Sequence, residues 1–534
     1  MQAWTALARW NARRAIRRAI TGFVVVVLGS AALSVGAPRA AAAPVAPQTV
    51  PSAQSWMPGG SAFTVGERPR VHFARADLRT IADDLAAELE ARIGRPVHAE
   101  PGVDAAPGDI VLRTGRVPDA PDTAEAYRIS IAETLELQGA DLPGVFYATR
   151  SVLQMLRRSG TIPGGTVTDW PQYRERSLML DVGREFMPLD VLRAQIRRMG
   201  DLKLNVLHLH LSDSFGFRLA SERRPEITAA QHYSKQDIRD LIDYAARNQV
   251  EIVPEVDFPG HMNGILAAYP ELKLRSRDGT VSDAAVDLSD PRGYELMRDI
   301  LEEFVPLFPG RYWHLGGDEF LLQGSRVATY DEFPQLGSYA RATYGPQARP
   351  ADVLLGLINW GADIVRAHGK RPRIWNDGLR VGEATLALAP DIVIDYWSKG
   401  GTQLEPLPFF GSARTPADLV AAGHDVRNAT FAPTYYVTGG DIAKFNVPPM
   451  AAYELWDPTV FVDGTRLPPE QLAHHLGAGL LVWCDDPTAQ TPQQISVSIT
   501  MPLAVQAQLT WRGARAGGYA EFADRVAAVG LSAP

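Results

Sequence analysis

The stretch RYWHLGGDEF, Arg311–Phe320, is a short apolar run that breaks at two glycines and ends in two adjacent carboxylates, Asp318 and Glu319. Its length and aromatic content read as a buried strand, and the acids sit where that strand stops. Seven more runs of the same kind flank it: SLMLDV (177–182), NVLHLHL (205–211), VEIVPEVD (250–257), RPRIWND (371–377), DIVIDYW (391–397), HDVRNAT (424–430) and AGLLVWC (478–484). Between most of them lie amphipathic stretches such as PLDVLRAQIRRMGDLK, SKQDIRDLIDYAARNQ and YELMRDILEEFVPLF. Strands alternating with helices imply a parallel sheet, and eight of them over about 350 residues suggest a closed (β/α)8 TIM-type barrel spanning 171–534. An open doubly wound sheet is the alternative, but no GxGxxG turn follows the first strand to favour a dinucleotide fold.

Six of the eight runs end in a polar cluster that a plain strand end does not need. These are Asp181 with Arg184, His210 with Asp213, Asp257 with His261, Asp318 with Glu319, Trp375 with Asp377, and Trp483 with Asp485. Barrel enzymes assemble their sites at the C-terminal ends of the strands, so clusters at that end of successive strands mark a site.

The residues upstream of the barrel divide into three parts. Residues 1–43 carry a basic segment (Arg9, Arg13, Arg14, Arg17, Arg18), then Phe23–Leu28, then small residues ending in AAAAP. That order is the pattern of a secretory signal peptide cut near Ala42 or Ala43, giving a secreted chain with no membrane span after cleavage. A retained anchor is the rival, although the apolar core falls short of the roughly 20 residues a span needs. Residues 44–60, rich in Pro, Ala, Gln and Ser, read as a disordered leader. Residues 61–170 alternate helical and strand patterns and read as a small α/β accessory domain.

Composition narrows the function. A net charge of −8 without a basic block gives no reason to expect nucleic acid. Cys484 is the sole cysteine, so no intramolecular disulfide forms. The oligomeric state is left open.

The strand-end acids share their neighbourhood with Trp375, Trp397 and Trp483. Indole faces stack on the C–H faces of sugar rings while carboxylates and Arg bind hydroxyls, so the mixture suits a carbohydrate. Most glycosidases set two carboxylates about 5–10 Å apart across the scissile bond, a spacing that adjacent acids do not supply. Consecutive strand side chains diverge, so Asp318 and Glu319 are expected to reach different parts of one substrate. Glu319 then serves as general acid, and Asp318 polarises a group on the sugar itself. A 2-acetamido group would bring its own nucleophile.

HLGGDE at 314–319 resembles the His-x-Gly-Gly-Asp-Glu signature of family 20 glycoside hydrolases, the β-N-acetylhexosaminidases. LMLDVGREF (178–186), KLNVLHLHLSDSFGFRL, with His210 and Asp213, and VEIVPEVDFPGH, with Asp257 and His261, are similar to that family's first three strand segments. The resemblance implies that Arg184, Asp213, Asp257, His261, Trp375, Trp397, Tyr435, Trp483 and Asp485 bind the sugar. Asp318 would orient the acetamido group and Glu319 would be the acid/base. It implies retaining, substrate-assisted removal of terminal GlcNAc or GalNAc through an oxazoline, with an oligosaccharide as partner and no metal or organic cofactor. The segment before Gly160 resembles the family's accessory domain.

The match departs in two places. The family's second-strand segment often reads His-Trp-His-Leu-Thr-Asp-Asp-Gln-Gly-Trp-Arg, where this chain has Leu209, Ser212, Ser214, Phe215 and Phe217. The family's Trp-x-Glu near the last strand is Trp483-Cys484-Asp485 here. A shorter acid at 485 leaves room for a sugar substituent, which keeps a disaccharide-releasing, lacto-N-biosidase-like enzyme in view. Two rivals come from other classes. His208 and His210 form a His-x-His on one strand face, as in metal hydrolases, and stacking tryptophans also suit a catalytically silent carbohydrate-binding protein. The stretch 401–413, GTQLEPLPFFGSA, reads as either a lid or a loop.

Overall fold

The computed structural model describes residues 46–157, 160–323, 326–399 and 413–531. The expected signal peptide and all but the last residue of the 401–413 stretch lie outside them.

All eight anticipated runs are parallel strands of one closed barrel, in chain order: Glu175–Asp181, Val206–His210, Glu251–Phe258, Tyr312–Gly316, Arg371–Trp375, Val393–Tyr396, Val426–Asn428 and His475–Trp483. The first and last strands close it, pairing Glu175–Leu180 with Gly477–Val482. A short strand, Tyr435–Val437, adds to the top of the eighth. The connecting helices follow from amphipathic spacing and local caps. Ser234, for example, starts Lys235–Arg247 by accepting from the Asp237 N–H, while the Asp237 side chain accepts in return from the Ser234 N–H.

Alternation along the strands fills the barrel in layers. The lowest is apolar: Val206, Val253, Tyr312, Val393 and Leu476. Two residues further along four of these five strands the filling is ionic, with His208, Glu255, His314 and Asp395. Arg373 reaches Glu175 and Asp395, both at 2.9 Å. Arg427 pairs with Asp395 and donates to Ser177 Oγ at 3.0 Å. His208 and His314 lie 2.9 and 3.1 Å from Glu255. Buried charges persist only when paired, and this layer pairs them densely. Above it come Trp375, Trp397, Tyr435 and Trp483.

The accessory domain is a seven-stranded mixed sheet covered by the helices Arg79–Ile93 and Leu142–Met155. Its core includes Trp511 from the helix Thr500–Arg512, so the chain's last third returns to complete its first.

The expected disordered leader is a correction. Ser55–Pro58 is an edge strand of the accessory sheet, antiparallel to Gly165–Asp169. Val50 is fully buried; its N–H donates to Gln154 Oε1 at 2.7 Å, and the Ser52 N–H donates to Gln508 Oε1 at 2.9 Å. Composition misled here because two buried glutamines, one from each domain, satisfy this segment's backbone.

Candidate active site

The fourth strand ends at Gly316, where the chain turns through two left-handed residues, Gly316 (φ +72°) and Gly317 (φ +97°). A Cβ on Gly316 would fall 1.6 Å from Asp257 Oδ1, and the Gly317 N–H donates to that same oxygen at 3.1 Å. The two glycines therefore let the backbone close over Asp257. Glu319 is itself left-handed (φ +47°), a conformation costing a non-glycine residue about 1–2 kcal/mol. Its N–H is held by Asp377 Oδ2 at 2.9 Å.

Asp318 and Glu319 follow the strand rather than lie on it, so strand alternation does not set their directions. Both turn toward one histidine: His261 Nε2 lies 3.5 Å from Asp318 Oδ2 and 3.3 Å from Glu319 Oε2.

Behind that histidine runs a chain of charges. His261 Nδ1 is 3.3 Å from Asp213 Oδ2, which also meets Arg184 Nη2 and His210 Nε2, each at 2.9 Å. Arg184 Nη1 is anchored by Asp181 at 2.7 Å, and His210 Nδ1 by Glu255 at 2.7 Å. Burial opposes charge on His261, but Asp213 and Asp318 outweigh it and hold the imidazole well above its usual value. His210 is raised in the same way by Glu255 and Asp213 against its burial. Asp213 is held well below the carboxylate range because Arg184 and His261 overcome its burial. His208 lies lower in the barrel and faces Glu255 without a second carboxylate; burial pushes it down to about 3. The His-x-His pair thus flanks Glu255, His210 by a hydrogen bond and His208 at 2.9 Å.

The aromatic wall is tied to the same acids. Trp375 donates its indole N–H to Glu255 Oε1 at 2.6 Å, and Trp397 donates to Asp377 Oδ1 at 2.9 Å. Trp397 and Tyr435 stack with centroids 6.2 Å apart, and Trp483 closes the box 5.8 Å from Tyr435 and 5.9 Å from Trp375. Arg184 also covers the Trp483 ring at 5.5 Å.

The structure brings Arg184, His261, Trp375, Trp397, Tyr435, Trp483, Asp318 and Glu319 to one end of the barrel. Asp213 has both oxygens engaged, since Ser214 donates its N–H and Oγ–H to Oδ1. Asp257 is fully buried beneath the Gly316–Gly317 turn, and burial plus the Asp318 charge push its carboxyl well above the usual range. Both are almost completely buried. Asp485 lies within the field of Arg184, which lowers its carboxyl; its burial outweighs this and raises it.

Among the buried polar atoms here without a hydrogen-bond partner are Asp318 Oδ1, Asp257 Oδ2, His261 Nε2 and the Trp483 indole nitrogen. The side chains of Asp257, His261 and Asp318 also lie close enough to hold a cation, as do His208–Glu255–His314 and His210–Glu255–Asp257. Sequence reading passed over Glu255 and Asp395, although each sits two residues from a singled-out position, Asp257 and Trp397, and so shares its face. Asn428-Ala429-Thr430 has the Asn-x-Thr pattern of a glycosylation acceptor, but Asn428 is buried and donates to Pro458 O and Val460 O, both at 2.8 Å.

Comparison with known proteins places these residues in a family. The model described as "Glycosyl hydrolase family 20, catalytic domain" matches residues 173–484, and that of the same family's domain 2 matches 46–170. The chain is 31% identical over 93% of its length to a lacto-N-biosidase of Bifidobacterium bifidum, of which it spans 43%. It is 28% identical to a β-N-acetylhexosaminidase of Cellulomonas fimi, covering 83% of this chain and 85% of that one. The fold resembles that of a family 20 exo-β-N-acetylglucosaminidase from Vibrio harveyi, with a TM-score of 0.72 at 20% identity over 92% of this chain and 79% of that one. A Streptomyces coelicolor β-N-acetylhexosaminidase aligns with a TM-score of 0.70 at 24% identity over 91% and 95%. With a barrel, a leading domain and a strand-end acid pair all falling inside those matches, the chain belongs to glycosyl hydrolase family 20.

Proposed function

We propose that the protein is a retaining exo-β-N-acetylhexosaminidase that removes terminal β-linked GlcNAc or GalNAc, with the substrate's acetamido group as nucleophile. The observation that carries this reading is the buried, unpartnered Oδ1 of Asp318 beside the Trp375–Trp397–Tyr435–Trp483 box. A buried carboxylate oxygen without a donor is costly, and an acetamido N–H supplies the missing donor.

In the first step the acetamido carbonyl oxygen bonds to the anomeric carbon as the glycosidic C–O bond breaks. Asp318 accepts the acetamido N–H and stabilises its growing positive charge, Tyr435 O–H donates to the acetamido oxygen, and Glu319 gives its proton to the leaving oxygen. His261, charged and backed by Asp213, holds the Glu319 carboxyl in place. Arg184 and Asp485 take hydroxyls at the far edge of the ring. In the second step Glu319 removes a proton from water, which opens the oxazoline and returns the acetamido group. Two inversions give retention.

A second reading is favoured by Asp485, one methylene shorter than the family's glutamate, together with the similarity to a lacto-N-biosidase. It keeps the chemistry and releases a disaccharide. Residues 1–43 direct export in either case; N-terminal sequencing of the secreted protein, starting near Ala43 or Pro44, tests that.

Nitrophenyl β-GlcNAc, β-GalNAc and β-lacto-N-bioside decide between the readings. Turnover of the monosaccharides, lost in Glu319→Gln, supports the first; turnover of the bioside alone supports the second. Silence on all three overturns both and leaves a binding protein.

A further inference from the structure

The acid/base sits on an unusual piece of backbone, and one side chain holds it there. Asp377 follows the fifth strand and is almost completely buried. Its Oδ2 accepts the N–H of Glu319, whose φ is +47°, and its Oδ1 accepts the indole N–H of Trp397, a wall of the aromatic box. One carboxylate thereby spans the distance between the proton donor and the sugar-binding wall. Glu319 and Asp377 also border a small cavity of about 40 Å³, lined in addition by Tyr330, Leu354, Arg380 and Glu383. A left-handed glutamate released from its tether has a conformational reason to relax.

We propose that Asp377 is a positioning residue that holds Glu319 in its proton-donating position and ties that position to the Trp397 wall of the sugar site. This rests on the reading of Glu319 as acid/base. Both Asp377 oxygens are already engaged, one by the Glu319 N–H and the other by the Trp397 indole. The groups facing it are Asp318 and Glu319 from the fourth strand end, Tyr435 and Trp397 from the wall, and Arg380, whose Nε donates to the Asp377 backbone carbonyl at 3.4 Å. Burial and the Asp318 charge raise its carboxyl to about 7. The site thus collects negative charge beside Glu319 as the pH rises through neutrality.

The role is separable from simple structural support by leaving-group dependence. A good leaving group departs with little proton assistance, whereas a sugar hydroxyl needs the acid fully. Asp377→Ala is expected to lower kcat/KM on a GlcNAc-terminated disaccharide by about 100-fold, and on the dinitrophenyl glycoside by less than about 10-fold. Its affinity for N-acetylglucosamine, by calorimetry, should stay within about 5-fold of the parent. An equal loss on both substrates, or no loss on either, overturns the proposal. If the Ala variant fails to bind N-acetylglucosamine, the comparison is made in Asp377→Asn, which keeps one acceptor and the volume; an unequal loss there supports the proposal and an equal one overturns it. A parent protein inactive on both glycosides would instead refute the acid/base reading itself.

Discussion

Two buried charge networks in this molecule look alike on paper and differ in one respect. Where the accessory domain meets the barrel, Lys203 Nζ reaches Asp169 at 2.9 Å and Tyr127 at 2.7 Å, while Tyr127 also bonds Ser151 and Asp169. Asp169 Oδ1 accepts from the Trp511 indole at 3.0 Å and from the Gln54 N–H at 2.9 Å. No side-chain atom of Lys203, Asp169, Tyr127, Ser151 or Trp511 is a buried polar atom left without a partner. At the site, Asp318 Oδ1, Asp257 Oδ2 and His261 Nε2 are. A closed network fixes two domains in one arrangement; an open one holds back its bonding capacity for a molecule that arrives later.

The comparison breaks most visibly at Glu319. Glu319→Gln is expected to lower turnover of a nitrophenyl N-acetylglucosaminide by about 10²–10⁴-fold with an unchanged melting temperature, since the open network contributes little to folding. The closed network behaves oppositely. Asp169→Asn leaves Lys203 buried with reduced compensation, and should cost about 3–5 kcal/mol in urea unfolding while the folded fraction retains its kcat. Asp257→Asn sharpens the contrast, because it replaces a strained buried acid. Its stability should change by less than about 1 kcal/mol, or rise, since the amide oxygen can still accept the Gly317 N–H, while activity falls because the acid facing Asp318 is gone.

The smallest effect is in the pH dependence of stability. His261 and His210 have folded values above the usual histidine value of about 6.5. The folded state therefore binds more protons than the unfolded one above that pH. The contribution is complete below about 6.5 and is lost as pH rises through the folded values. Urea midpoints should fall between pH 6.5 and 9, and fall less in His261→Asn. A parallel decline in both proteins would remove His261 from the account.

The eight strands and the end of the barrel that carries the site were legible because buried parallel strands are short, apolar and bounded, and their polar endings stand out. The ionic layer was not. Arg373, Asp395 and Arg427 sit inside runs read as apolar, and only their mutual pairing across three strands makes them admissible in a core. The same holds for residues 46–58, where Pro, Gln and Ser suggest disorder until Gln154 and Gln508 arrive from more than a hundred residues away. Asp318 and Glu319 were recognisable as a pair. That they converge on His261 was not, because it depends on left-handed backbone at Gly316, Gly317 and Glu319.

The central claim is that the nucleophile belongs to the substrate. The most direct test compares nitrophenyl β-N-acetylglucosaminide with nitrophenyl β-glucoside, following by NMR the first anomer released. The account predicts turnover of the acetamido sugar alone, with the β-hemiacetal appearing first. Comparable turnover of the glucoside, or initial release of the α-anomer, would contradict it.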